Sequence, residues 1–286
     1  MKKILSLLLI TTLTLVSLIS CEVFSKNREL SIGVHTIQDG NTLTETAAAI
    51  ITEEDGTILL LRIDYFSYSP EFDAYGAPVI TVPTTASEAG GDAYLEIQRF
   101  EEYAVGKTVA ELLSLYEDEA IDPELNLSKI GDYISAIEKA DKNEYKTKFR
   151  SKNLGFAIAI NVDVSADAEK KSFTITSDFA AIATWKNTVA AAIIDANEAT
   201  LSTDGSSVTS LSYKGTKLEQ GDGYNMKTFN PYAIGEWYEQ AADYTANIKR
   251  LKINGEDTSF PVNTAGCTIG TDAIRAALSK AVQKLQ

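Results

Sequence analysis

The 286 residues set 40 acidic against 26 basic side chains, a formal net charge of −14, which disfavours nucleic acid and anionic lipid headgroups as partners. A single histidine, His35, excludes two-histidine zinc sites and leaves any Ser-His-Asp triad one residue to use. An apolar content of 44% over this length supplies a core without disulfides and suits one large domain or two small ones.

The chain starts with Lys2 and Lys3, an apolar run from Ile4 to Ile19, and Ser20 before Cys21. Thr11, Thr12, Thr14 and Ser17 interrupt the run, which falls short of the roughly 20 apolar residues of a comfortable membrane span, so it is expected to act as an export signal. The segment Leu18-Ile19-Ser20-Cys21 resembles the lipobox of bacterial lipoproteins. The resemblance implies removal of residues 1–20, diacylglycerol on Cys21, a polar tether over 21–27, and a protein held by lipid at the outer face of a membrane in the cell envelope; the alternative is an ordinary secretory signal. Lipidation of Cys21 would leave Cys267 as the one free thiol, with no intrachain disulfide. The mature chain would carry 24 basic and 40 acidic residues, a charge of −16.

Beyond the tether, Asp39-Gly40, Asp55-Gly56, Asp204-Gly205 and Asn254-Gly255 are hairpin-turn dipeptides, since their central positions tolerate positive φ. The run from Thr57 to Tyr65 and the alternation of Phe156, Ile158, Ile160, Val162 and Val164 predict strands. Helical spacing is expected over Tyr94 to Val105, Asp132 to Ala140, Glu236 to Ile248 and Asp272 to Leu285. The charged stretch from Lys139 to Lys152 reads as a solvated connector or helix end.

Internal similarity runs through this order. Ala47-Ala48-Ala49-Ile50-Ile51 returns as Ala190-Ala191-Ala192-Ile193-Ile194, 143 residues on. Asp73-Ala74-Tyr75-Gly76 is matched by Asp222-Gly223-Tyr224-Asn225, Gly91-Asp92-Ala93-Tyr94 by Gly235-Glu236-Trp237-Tyr238, and Ile130-Gly131-Asp132 by Ile269-Gly270-Thr271. The expectation is an α+β chain of two tandem related domains, 28–146 and 147–286, each an antiparallel sheet with helices packed on one face.

The stretches Lys217 to Lys227, Ile234 to Gln240 and Ala265-Gly266-Cys267-Thr268-Ile269 resemble a repeat of bacterial surface lipoproteins, including pheromone-precursor lipoproteins, and more distantly the FMN-binding domain family. That resemblance implies FMN as cofactor and extracytoplasmic electron transfer as a role. In the family a Ser-Gly-Ala-Thr type motif precedes the last helix, and its Thr carries the FMN ester in some members. Here Gly266 and Thr268 are kept, Ala265 and Cys267 depart from the motif, and Val262 stands where an Asp is usual, which argues against the ester. In the first unit Ser128-Lys129 stands where Cys-Thr should be.

Gly266 to Thr271 precede a helix whose free N–H groups attract a phosphate, although Thr268 or Thr271 could equally serve as a plain cap. Tyr224, Met226, Trp237 and Tyr238 could line a slot for a planar ring or belong to the core, and Lys217 and Lys227 could hold a phosphate or balance acidic neighbours. Asn161, Asp163, Ser165 and Asp167 have calcium-loop spacing, but Ala166 and Ser172 occupy the Gly and Glu positions, so strand and turn are expected there. The expected function is a lipid-anchored, non-catalytic protein that binds a flavin or other phosphate-bearing ligand through Gly266, Thr268, Tyr224, Met226, Lys227 and Trp237, without a metal. The alternative is a structural or adhesive surface lipoprotein with no cofactor.

Overall fold

The computed structural model describes residues 27–150, 154–185, 188–221 and 272–285. Their architecture is α+β, with antiparallel sheets and a small complement of helices. Strands β1 (Asn27–Asp39), β2 (Thr42–Glu53) and β3 (Ile58–Tyr68) form a meander. Its turns fall at Gly40 and Gly56, both at positive φ, where the Asp-Gly pairs place them. After the short hairpin β4 (Glu71–Phe72) and β5 (Pro78–Val79), four helices follow: α1 (Ala86–Ala89), α2 (Gly91–Ala104), α3 (Val109–Glu117) and α4 (Ile130–Lys142). Strand β6 (Thr147–Arg150) then returns to pair with β1, closing a sheet of order β3-β2-β1-β6. The described part of the charged stretch Lys139 to Lys152 is thus the end of α4, a short connection and an edge strand. Its residues 147–150, assigned by sequence to the second unit, hydrogen-bond into the first sheet.

The second sheet, in order β10-β9-β8-β7, is a longer meander of β7 (Leu154–Asp167), β8 (Ser172–Trp185), β9 (Thr188–Thr203) and β10 (Val208–Tyr213). The calcium-like spacing of Asn161 to Asp167 lies inside β7. Helices α5 (Lys217–Gln220) and α6 (Asp272–Gln283) complete the described part.

The sheets face each other, with β3 against β7 and β1 against β9. Leu30, Ile32, Ala47 and Ala49 from one and Ile158, Phe173, Phe179 and Ile193 from the other form one buried layer. On the far side of the first sheet, Ala48, Ile50 and Leu61 meet Ile97, Phe100, Tyr133 and Ile137 of α2 and α4. On the far side of the second, α6 lies across β7 and β8 through Ala277, Leu278 and Ala281. Because both faces are covered, Ala47 to Ile51 is buried at every position, and its sequence reads as a continuous apolar run rather than an alternation.

Gly33 on β1 lets α4 approach: a Cβ there would stand 2.1 Å from the Ala140 amide nitrogen and 2.4 Å from the Ala136 carbonyl oxygen.

Candidate functional site

Cys21, Tyr224, Met226, Lys227, Trp237, Gly266 and Thr268 lie outside the described residues, as do Cys267, the Asn254-Gly255 turn and the helix expected over Glu236 to Ile248. The first-unit counterpart of the motif, Ser128-Lys129 before α4, is described. Helix α4 has no side-chain cap of its own, its N-cap residue being Lys129. The carboxylate of Glu96 on α2 takes that place, accepting from the Ser128 amide (2.7 Å), the Ser128 hydroxyl (2.7 Å), the Lys129 amide (3.1 Å) and the Tyr133 phenol (3.3 Å). Burial, and next the Glu96 charge, push the Tyr133 phenol up, so it donates and does not ionise. An anion belongs at a helix start, and here the protein supplies it from within.

Polar groups surround this helix start. Asp132 lies 3.8 Å from His35 and 3.9 Å from Lys129, and the Lys129 ammonium sits 5.0 Å from the Tyr65 ring centroid. Burial lowers the His35 pKa, with Lys139 adding to the effect and Asp132 opposing it, so the imidazole is neutral at pH 7. Its separation from Asp132 exceeds hydrogen-bond range, so the pair is not an assembled acid–base dyad.

A shallow pocket of about 380 Å³ opens beside α3 and α4, lined by Tyr116, Ile121, Pro123, Leu127 and Ile130. Glu119 and Asp122 also line it, a charge that disfavours a phosphate. Among the described residues no group of three or more His, Cys, Asp or Glu converges for a metal.

A second constellation joins distant parts of the chain. Asp64 on β3, wholly buried, accepts from the Ser87 amide (3.0 Å) and hydroxyl (2.5 Å) and from the Lys284 ammonium (2.9 Å); that ammonium also stands 2.5 Å from the Ser87 oxygen. A Ser-Lys contact suggests an activated nucleophile. The Ser87 hydroxyl, however, donates to Asp64, and the Lys284 ammonium is ion-paired with that same carboxylate. The cluster binds helix to sheet.

The same station recurs at Asp195 on β9, which accepts from the Leu218 amide (3.0 Å) as Asp64 does from Ser87. Thr85 with Glu88 and Thr216 with Glu219 form matching capping boxes, and Gly90 (φ 67°) and Gly221 (φ 68°) end the two short helices alike. Asp64 and Asp195, Thr85 and Thr216, and Gly90 and Gly221 are each 131 residues apart. The two Ala-rich runs, 143 apart, instead occupy β2 and β9, the second strand of one meander and the third of the other. Ion pairs cross between the halves in both directions: Lys139 on α4 meets Glu219 at 2.9 Å, and Lys280 on α6 meets Glu88 at 3.2 Å.

Sequence reasoning passed over Glu96, Asp64 and Lys284. Glu96 carried a signal, since it falls on the apolar stripe of α2 beside Ile97, Phe100 and Ala104, where a carboxylate requires partners. Asp64 interrupts an apolar strand run in the same way.

Comparison with protein-family models, with curated proteins and with solved structures finds no match for the chain.

Proposed function

We propose that this chain is a lipid-anchored, extracytoplasmic protein that binds rather than transforms its ligand. It is built from two related units, the first a structural brace and the second the ligand-binding copy. The observation that carries this division is the Glu96 carboxylate at the start of α4: it fills the position where the repeat ending would receive a phosphate, so the first copy is closed. The recurrence of the Asp64 and Asp195 stations supports the relation between units. The second copy keeps Gly266 and Thr268 ahead of α6, with Lys227 and the aromatic residues Tyr224 and Trp237 nearby in sequence, a composition suited to a flavin or another phosphate-bearing planar ligand. Strand β1 starts at Asn27, so lipid on Cys21 would hold the folded body close to the membrane.

Intact-mass analysis of native protein tests both ends at once: diacylglycerol on Cys21, and co-purified or added FMN retained by the second unit. Absence of the lipid mass overturns the anchoring. Colourless protein that gains no thermal stability from FMN or inorganic phosphate overturns the ligand reading. It would leave a cofactor-free surface protein, a role that the reciprocal ion pairs Lys139–Glu219 and Lys280–Glu88 favour as rigid bracing.

A further inference from the structure

Glu45 on β2 projects between the two sheets and is wholly buried. Directly paired with it in the first sheet is Thr36; facing it in the second is another direct pair, Ser177 and Asn197, both at least 99% buried. The Asn197 amide donates to Glu45 Oε1 across the interface. Glu45 Oε2, Thr36 Oγ1, Ser177 Oγ and Asn197 Oδ1 form no well-shaped hydrogen bond, Ser177 being drawn only loosely to Glu45 and Thr36 to the Tyr213 phenol. They belong to two register pairs beside a layer of apolar side chains such as Leu30, Ile32, Val34, Leu43 and Phe179.

Under-satisfied oxygens around a wholly buried carboxyl between packed sheets call for a species that supplies positive charge or a donor. A metal ion would need to stand between its ligands, yet Glu45 and Asn197 are in direct contact, which leaves it no place between them. A proton needs no room. On Oε2 it turns an under-satisfied acceptor into a donor for the neighbouring Ser177 or Asn197 oxygen, and it removes the buried charge.

We propose that the sheet–sheet interface is a proton-operated latch, closed when the Glu45 carboxyl is neutral and loosened when it ionises. The groups facing Glu45 support this. Burial is the main effect raising its pKa, to about 7, and Asp195 on β9 adds to it, while Ser177, Asn197 and the Lys139 ammonium oppose it. Lys139 is engaged by Glu219 at 2.9 Å, and Tyr213 on β10, whose phenol is itself pushed up by burial, brings no charge. Loss of the proton to solvent therefore leaves a carboxylate among oxygens and beside a second buried acid. The strands that carry them, β2 and β9, separate so that water can reach the charge.

The experiment is hydrogen exchange on the mature protein between about pH 5 and pH 8.5, corrected for intrinsic rates, beside the isosteric variant Glu45→Gln. The Glu45 proton is expected to contribute a fall in protection of β2 and β9 on the order of fiftyfold across that range, the ratio linkage gives for a carboxyl raised to about 7. Asp195 on β9 contributes a fall of its own, so the expected result is that protection falls on the order of fiftyfold less in Glu45→Gln than in the native chain. A carbon-13 titration of the Glu45 carboxyl in the unsubstituted protein gives a second readout that does not depend on the variant folding. Titration in the ordinary glutamate range, pH-independent protection of β2 and β9, or a Glu45→Gln profile matching the native one each overturns the latch.

Discussion

Replacing Glu96 by alanine removes one carboxylate that accepts four hydrogen bonds, two of them from the backbone at the start of α4. A hydrogen bond to a charged group contributes about 1.5–3 kcal/mol, and loss of a helix cap costs about 1 kcal/mol. The contacts share one acceptor and do not add, and water can re-solvate the half-exposed Ser128 and Lys129 amides. The expected loss is therefore about 3 kcal/mol, a fall of roughly 6–12 °C in Tm for a chain of this size. Urea and thermal denaturation followed by circular dichroism read it directly. The vacated helix start should also accept a small anion: phosphate at about ten times its Kd would return about 1.4 kcal/mol to the variant and nothing to the native protein. A variant within about 1 kcal/mol of native, or one that phosphate does not rescue, would refute the view that Glu96 stands in for an external anion.

Burial is the main effect raising Glu45, Glu101, Asp178 and Asp195, each to about 7, so the folded chain keeps protons that the unfolded chain releases. Their contribution is full below the ordinary carboxylate range and is lost as pH rises through 7, on the order of 3 kcal/mol for one fully buried group. Urea midpoints should thus fall from about pH 5 to pH 8; a flat or rising profile contradicts the sign. Gly33→Ala would drive a Cβ into the α4 backbone, so the helix must retreat at a cost of about 3 kcal/mol or more, measurable as a lower urea midpoint, and an unchanged midpoint would show that α4 has slack. Lys284→Met strips Asp64 of its countercharge and should cost about 2 kcal/mol, a discount from the fully buried case because Lys284 is partly exposed. Adding Asp64→Asn should recover part of that loss in a double-mutant cycle, and simple additivity would argue against the pair.

Much of the secondary structure was legible because it depends on local chemistry. The Asp-Gly turns at Gly40 and Gly56, the alternation from Phe156 to Val164, and the amphipathic spacing of Asp132 to Ala140 and Asp272 to Leu285 match elements in place. Strand β8 went unread because Phe179 to Ala183 is apolar on both faces, where neither period shows. The internal similarity was visible, but its 143-residue spacing aligned a second strand with a third, since Ala-rich runs suit any central strand with both faces covered. The 131-residue spacing rests on Asp64 and Asp195, which are alike in the amides they accept and not in the letters around them.

By itself, the sequence determined several of the turns, strands and helices among the described residues. Periodicity and capping act within a few residues of themselves. Tertiary structure alone decided that Thr147 to Arg150 joins the first sheet, that Lys139 reaches Glu219 and that Lys280 reaches Glu88. It also decided that Glu45, Asp64 and Glu96 are buried with particular partners. A strand or helix pattern says which face a carboxylate occupies, but its state is set by what packs against that face, and those partners come from parts of the chain up to 220 residues away.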